Sequence, residues 1–348
     1  MMVILKEDLT AKRSRVQLGV LAALAAFLLL APAIIGEYGL GLLTEMLVFG
    51  VFAMSLDLLI GHAGLVSLGH AAFFGAGGYA AGLLARHLGL TSWPGLVAGI
   101  LAGVLLAALF APVVLRASGA YFLMLTLALG QLLYGMVWLW RPVTGGDDGL
   151  PGLPRPELPL LGGILWDNVA FYYFTLVCTG VAALSMAWLV TSPFGLTLRG
   201  IRDNELRLES LGYHTWLYKY AIYVIAAGYA GLAGTLYAYY AGYVSPHNLS
   251  WALSGEAMVM VILGGAGTLW GPALGAALVL VLKYVVSSFT DRWLAILGLT
   301  FVLTVLFAPH GLAGLVRKLR WPAGRAASLD RVWAGSQAVP AFLRRRSD

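Results

Sequence analysis

Long apolar runs alternate with short polar breaks along most of the chain. A helix needs about 20 largely apolar residues to cross a bilayer. Ten runs approach or reach that length, over 17–36, 39–60, 69–87, 93–115, 118–140, 169–190, 217–243, 254–268, 270–289 and 293–309. The run 254–268 is the shortest. Two tight pairs of runs, 39–87 and 254–289, are each interrupted by a glycine-rich stretch, GHAGLVSLGH (61–70) and GGAGTLWGP (264–272), where the chain must turn or break. The pattern predicts an all-α polytopic membrane protein with about ten transmembrane helices and Gly-rich breaks.

Composition agrees. Hydrophobic residues make up 60% of the 348 residues and charged residues 11%, too few charges to clothe a water-soluble surface. The 44 glycines suit helices whose backbones approach closely in lipid. Cys178 is the only cysteine, which excludes a disulfide framework and a cysteine metal site. The net charge of +6 does not point to nucleic acid, because the basic residues flank apolar spans as membrane topology requires. The first run has the basic flank of a secretory signal, yet it continues through Ile34 and Ile35 and more spans follow. It reads as an uncleaved helix.

Lys and Arg set the orientation. With the N-terminus in the cytoplasm, the inner segments hold Lys6, Lys12, Arg13, Arg15, Arg116, Arg199, Arg202, Arg207, Lys219 and a tail with Arg317, Lys318, Arg320, Arg325, Arg331, Arg344, Arg345 and Arg346. The outer segments hold Arg86, Arg141, Arg155 and Arg292. This bias fits an even number of spans with both termini inside. The expected organisation is a cytoplasmic N-terminus (1–16), a transmembrane domain (17–315) and a basic cytoplasmic tail (316–348). Within the domain, 191–216 is a cytoplasmic loop, and the Pro- and Gly-rich 141–168 is an irregular outer rim.

One stretch breaks the apolar pattern. SPFGLTLRGIRDNELRLESLG (192–212) carries Arg199, Arg202, Asp203, Glu205, Arg207 and Glu209. Pro193 suits a helix start and Gly212 a helix end. Leu198, Ile201, Leu208 and Leu211 fall on one face. The pattern predicts a short amphipathic helix. A solvated loop, a helix on lipid headgroups and a docking element remain open, although interleaved charges of both signs suit a protein partner better than lipid.

Polar groups at lipid depth tend to face the bundle interior. Glu45, Ser55, Asp57, His62, Ser67, His70, Thr126, Gln131, Glu256 and Lys283 are of this kind. Asp57, His62, Ser67, His70, Thr126, Gln131 and Glu256 are the candidate path residues. Ser67 sits where it would cap a new helix, whose free N–H groups attract a carboxylate. His62 and His70 lack a nearby third ligand, so packing or hydrogen bonding is expected rather than a metal. No cofactor is expected.

Four stretches resemble one family in its order. They are GHAGLVSLGHAAFFGAGGY (61–79), GAYFLMLTLALGQ (119–131) with TGGDDGL (144–150), the charged stretch with YKYAIYVIAAGYAGLAGTLYAYYAGYVSP after it, and MVMVILGGAGTLWGPALGA (258–276). The resemblance, over about 40–315, is to LivM-type permease subunits of branched-chain amino acid ABC importers. It implies a translocation path built with a LivH-like second permease, two cytoplasmic ATP-binding subunits and a periplasmic substrate-binding protein, in the inner membrane. It further implies that the charged stretch is the coupling helix, with Arg199, Arg202, Asp203, Asn204, Glu205 and Gly212 as its contact residues. Permeases of this type also serve urea, short amides and aromatic acids. A stand-alone secondary transporter would want paired intramembrane carboxylates, and an enzyme would want a catalytic motif; the chain has neither, and it has no GxxxxGK[ST] phosphate loop.

Overall fold

The computed structural model describes residues 26–90, 93–158, 163–164, 167–290, 292–307, 311–312 and 314. The expected N-terminal segment 1–16 and basic tail 316–348 lie outside the described residues. The fold is almost entirely helical. A helical segment over 26–34 (α1) leads into α2 (Glu37–Asp57), whose last turn widens into a π-turn, Leu58–Ala63. There follow α3 (His70–Leu88), α4 (Trp93–Val114), α5 (Ala120–Leu139), a short α6 (Arg141–Thr144), α7 (Asn168–Thr191), α8 (Pro193–Ser210), α9 (Thr215–Ala241), α10 (Trp251–Gly264), α11 (Trp270–Ser287) and α12 (Trp293–Phe307).

Among the described residues, six helices are long and apolar enough to cross a membrane: α2 with its π-turn, α4, α5, α7, α9 and α11. The expected run 254–268 is instead α10, an apolar helix of 14 residues that starts earlier and ends earlier. Its start is set by Ser250, whose Oγ accepts from Leu253 N at 3.3 Å.

The bundle is layered by exposure. α2 and α9 are mostly buried, whereas α4, α5 and α7 expose apolar rows. Leu101, Leu105 and Leu109 on α4 are 50%, 66% and 68% exposed, and Val177, Val181, Leu184 and Trp188 on α7 form a similar row. Apolar rows at helical spacing, facing outward, need lipid or another subunit as their solvent.

The centre of the bundle is built on backbone contact. Without side chains at Gly77, Gly99, Gly103 and Gly231, α3, α4 and α9 meet closely. A Cβ on Gly231 would stand 2.3 Å from Gly99 O, and one on Gly77 would stand 2.2 Å from Gly231 O. Thr235 Oγ1 donates to Gly77 O at 3.1 Å across the same seam. This is small-residue packing of the kind that holds helices together when no hydrophobic drive separates helix from solvent.

α9, 27 residues and so about 40 Å long, defines two ends. At its start lies α8. At its finish, β4 (Tyr243–Val244) pairs antiparallel with β1 (Leu150–Pro151), and nearby β2 (Glu157–Leu158) pairs with β3 (Gly163–Ile164). Residues 149–153 thus dock on the chain after α9. Gly149 (φ +68) permits this, because a Cβ there would lie 2.1 Å from Val244 O.

Candidate functional site

The charged stretch forms α8 as the sequence predicts, with one difference. Ser192 caps it, its Oγ accepting from Gly195 N at 3.4 Å, and Pro193 occupies the first turn. A Cβ on Gly195 would stand 2.3 Å from Val190 O, so only glycine lets α8 turn so sharply off α7. Arg199 Nη2 donates to Val190 O at 2.7 Å and satisfies a carbonyl in the last turn of α7.

The difference is a break at Asn204, which is extended (φ −164, ψ 97). Its Oδ1 accepts from Arg207 N at 3.0 Å and caps a second helical piece. The break changes which side chains face out. Leu198 and Ile201 are buried as expected, but Leu211, expected on the same face, is 69% exposed. Gly212, at φ +86, ends the element in the left-handed conformation that favours glycine.

The expected contact residues divide into two groups. Glu205 forms an ion pair with Lys219 and accepts from Thr215 Oγ1 at 3.1 Å, and Glu209 accepts from the same hydroxyl at 2.8 Å. Glu205 therefore ties α8 to the start of α9. Arg199 is likewise engaged within the chain. Asp203 and Asn204 are exposed, and beside them lie Leu206, Arg207 and Leu211, also exposed. Sequence reasoning missed Leu206; the cue was a leucine between charges just after an asparagine able to cap.

Arg202 connects α8 to the rest of the site. Its Nη1 donates to the carbonyl of Gly61, in the π-turn that ends α2, while Asp203 Oδ1 accepts from its Nε at 3.3 Å and its Nη2 at 3.2 Å. The second glycine-rich break arrives at the same place. Asp57, fully buried, accepts from Gly267 N at 2.7 Å through Oδ1 and from Leu269 N at 3.2 Å through Oδ2. A Cβ on Gly61 would stand 2.2 Å from both Asp57 Oδ1 and Gly267 N, so the two breaks cross at a point where only glycine fits. His62 Nδ1 lies 3.6 Å from Asp57 Oδ2 and 3.3 Å from Asp57 O. One carboxylate and one guanidinium thus fasten α8, the end of α2 and the 265–269 loop to one another.

The other candidate path residues fall into separate places. Ser67 does not cap α3: the cap is Gly69, Ser67 Oγ accepts from Gly69 N at 3.3 Å, and Ser254 of α10 accepts from Ala71 N at 2.9 Å. The amides of Gly69 and Ala71 that were to attract a carboxylate are occupied from within the protein. Thr126 Oγ1 accepts from Leu68 N at 3.2 Å. His70 is buried, shares a 2.9 Å hydrogen bond with Ser55 and stacks on Phe52, away from His62. Among the described residues, no group of three His, Cys, Asp or Glu side chains could hold a metal. Gln131 is half-buried on α5. Glu45 accepts a hydrogen bond from Tyr284 Oη at 2.5 Å. Glu256 stands 3.8 Å from Lys283 and lines a cavity of about 310 Å³ among α2, α3, α9, α10, α11 and α12.

Residues 38–305 match the family described as branched-chain amino acid transport system / permease component. The high-affinity branched-chain amino acid transport system permease protein LivM of Salmonella typhimurium is 30% identical over 237 residues, covering 61% of this chain and 55% of that protein. The autoinducer 2 import system permease protein LsrC of Salmonella typhi is 34% identical over 192 residues, covering 52% of this chain and 49% of that one. The guanosine ABC transporter permease protein NupQ of Bacillus subtilis is 28% identical over 199 residues, covering 53% and 60%. The chain spans about half the length of the curated relatives it matches. No solved structure matches it. With a family match across most of its length and six helices able to cross a bilayer, the chain is a multi-pass inner-membrane protein and belongs to the branched-chain amino acid transport permease family.

Proposed function

We propose that the chain is the LivM-type permease subunit of an ATP-driven importer. It forms the path with a LivH-like second permease, above two cytoplasmic ATP-binding subunits and below a periplasmic substrate-binding protein. The transported solute is a branched-chain amino acid. On this reading, the ten spans expected from the sequence put both termini and α8 in the cytoplasm and the 141–168 segment outside. The chain itself does not hydrolyse ATP.

The observation that carries this reading is the setting of α8. Soluble ATP-binding subunits can move a membrane path only through a stiff element that they grip and that the path also holds. α8 is held by Arg199 against α7, by Glu205 and Glu209 against α9, and by Arg202 against the first break. Its remaining face, with Asp203, Leu206, Arg207 and Leu211, is exposed and mixes apolar and charged groups. That is the composition of an interface with a polar rim.

The test is Leu206→Glu combined with Arg207→Glu in the complex purified from native membranes. Both side chains point away from the fold, so the permease still reaches the membrane. The ATP-binding subunits no longer co-purify, and ATP-driven uptake falls at least tenfold. Unchanged co-purification together with unchanged uptake refutes the assignment of α8 as the coupling element.

A further inference from the structure

The outward faces of the spanning helices are not alike. α5 is the least buried of the six, with 17% of its apolar stretch inside the bundle against 28% for α4 and 33% for α7. The outward rows of α4 and α7 suit lipid. Leu101, Leu105 and Leu109 are aliphatic, and Ser185 of α7 shares a 2.8 Å hydrogen bond with Tyr229 Oη. α5 differs at its middle. It packs inward through Phe122, Thr126 and Gly130. Gln131 stands nine residues, or two and a half turns, beyond Phe122, and so on the opposite side. Around it are Met124 and Leu132, 64% and 52% exposed, exposed Ala128, and Gly135, where a Cβ would meet nothing within 4 Å.

Gln131 is the twelfth of the 20 residues of α5. Its amide therefore lies near the bilayer midplane, about 15 Å from either headgroup layer when the hydrocarbon is about 30 Å thick. A glutamine side chain is too short to cross that distance. The amide takes part in no hydrogen bond among the described residues. Two donors and an acceptor are costly in hydrocarbon, and lipid tails cannot bond them. The group that satisfies them has to lie at the same depth. That excludes soluble ATP-binding and substrate-binding subunits and selects a second membrane-spanning chain. The neighbouring residues agree with a helix as that neighbour. Ala128 and Gly135, seven residues and so about two turns apart, leave the α5 backbone open to close approach.

We infer that the outward face of α5, centred on Gln131, is the contact with the second permease subunit of the importer. The partner presents a helix with a small residue opposite Gly135 and, opposite Gln131, an amide or hydroxyl side chain that both donates and accepts. The inference rests on the importer reading and supplies the subunit surface that reading leaves unplaced. It gives Gln131 a role in assembly rather than in the solute path, and it leaves the outward rows of α4 and α7 to lipid.

The test uses the whole importer in its native membrane. The photo-crosslinking residue p-benzoylphenylalanine is placed at Ala128 on α5, at Leu105 on α4 or at Val181 on α7. All three sites face away from the fold. Light joins the chain to the second permease from the α5 site, with a yield at least tenfold above the α4 and α7 sites, and mass spectrometry identifies the product. A comparable yield from α4 or α7 overturns the inference, as does an α5 product joined to lipid alone or to a second copy of this chain. In detergent, Gln131→Leu lowers the second permease recovered with the chain at least fivefold, and Gln131→Asn retains at least half of it. Full recovery with Gln131→Leu overturns the role of the amide. In the solubilised complex with a Cys178→Ser background, Gln131→Cys reacts with a water-soluble thiol reagent at least tenfold more slowly than Ser210→Cys. Equal rates assign this face to a water-filled path and overturn the helix contact. A failure of the importer reading looks different: the wild-type chain then purifies with neither ATP-binding subunits nor a second permease, whereas failure of this inference leaves both present and joined elsewhere.

Discussion

Replacing Asp57 by alanine tests how the two glycine breaks are held together. The carboxylate is the acceptor for both Gly267 N and Leu269 N, and alanine leaves these donors without a partner. A buried donor that loses its acceptor costs about 1–3 kcal/mol, so the pair costs about 2–6 kcal/mol. The loop also has a reason to leave its present shape. Leu269 has φ 59, the only positive φ at a non-glycine among the described residues, a conformation costing about 1–3 kcal/mol and kept only when its surroundings enforce it. Hydrogen exchange followed by mass spectrometry on peptides covering 264–272 reads the local opening directly. At 1.4 kcal/mol per tenfold, the lower bound of 2 kcal/mol corresponds to about 30-fold faster exchange. Asp57→Asn retains one acceptor oxygen and gives a smaller increase. Peptides from the α3–α4–α9 seam serve as the internal reference and do not change. Unaltered exchange at Gly267 and Leu269 in Asp57→Ala refutes the claim that this carboxylate fastens the second break to α2.

Three further outcomes follow from the same geometry. Gly231→Ala puts a Cβ 2.3 Å from Gly99 O and forces α4 and α9 apart, which costs about 1–3 kcal/mol or more; the melting temperature in detergent falls, whereas Gly180→Ala, with nothing within 4 Å of the new Cβ, leaves it unchanged. Asn204→Ala removes the cap on the second piece of α8, a loss of about 1 kcal/mol; proteolysis within 204–212 accelerates, and Asn204→Asp, which keeps an acceptor oxygen, restores resistance. A single cysteine at exposed Ser210, in a Cys178→Ser background, reacts with an impermeant maleimide in inside-out vesicles and not in intact spheroplasts; the reverse result places α8 outside and removes the basis of the coupling reading.

What could be read from the sequence followed from local signals. The charged stretch stood out because six charges in eleven residues contrast with apolar flanks, and its start at Ser192-Pro193 and end at Gly212 are set by residues whose backbone preferences are strong. The glycine breaks were visible for the same reason. The faces of the spans were not, because these helices are apolar on all sides and carry no periodic signal to separate buried Leu96 from exposed Leu101. The division within α8 was hidden by Asn204. A continuous helix puts Leu211 on the face of Leu198 and Ile201, and only a cap inside the pattern turns it out. The resemblance implied Arg202 and Glu205 as partner contacts; their links within the chain, one to a backbone carbonyl and the other to a lysine on the next helix, had no local signal in the sequence. Ser67 had the spacing of a cap, but Ser254, 183 residues from Ala71, fills that role.

The meeting of the two breaks is the feature least accessible to one-dimensional reading, and it gives the fold its functional shape. Asp57 and Gly267 are 210 residues apart, and nothing local to either tells of the other. Once they meet, the glycines have a common explanation. Gly61 lets the Asp57 carboxylate and the Gly267 amide share its place, and Gly64 and Gly267 leave room for the Arg202 side chain above them. The chain's interior therefore has a short route from α8 to two helix ends. Arg202 holds the carbonyl that closes α2, and Asp57, one π-turn earlier, holds the loop that joins α10 to α11. α10 and α11 are also the helices that carry Glu256 and Lys283. Two hydrogen-bonded contacts connect α8 to the 265–269 loop, and that loop joins α10 to α11, two of the helices that line the cavity. The same arrangement sets a limit on variation: lengthening α8 before Asn204 would rotate Arg202 off Gly61, so the spacing from Ser192 to Arg202 is fixed by the breaks it must reach as much as by any partner it meets.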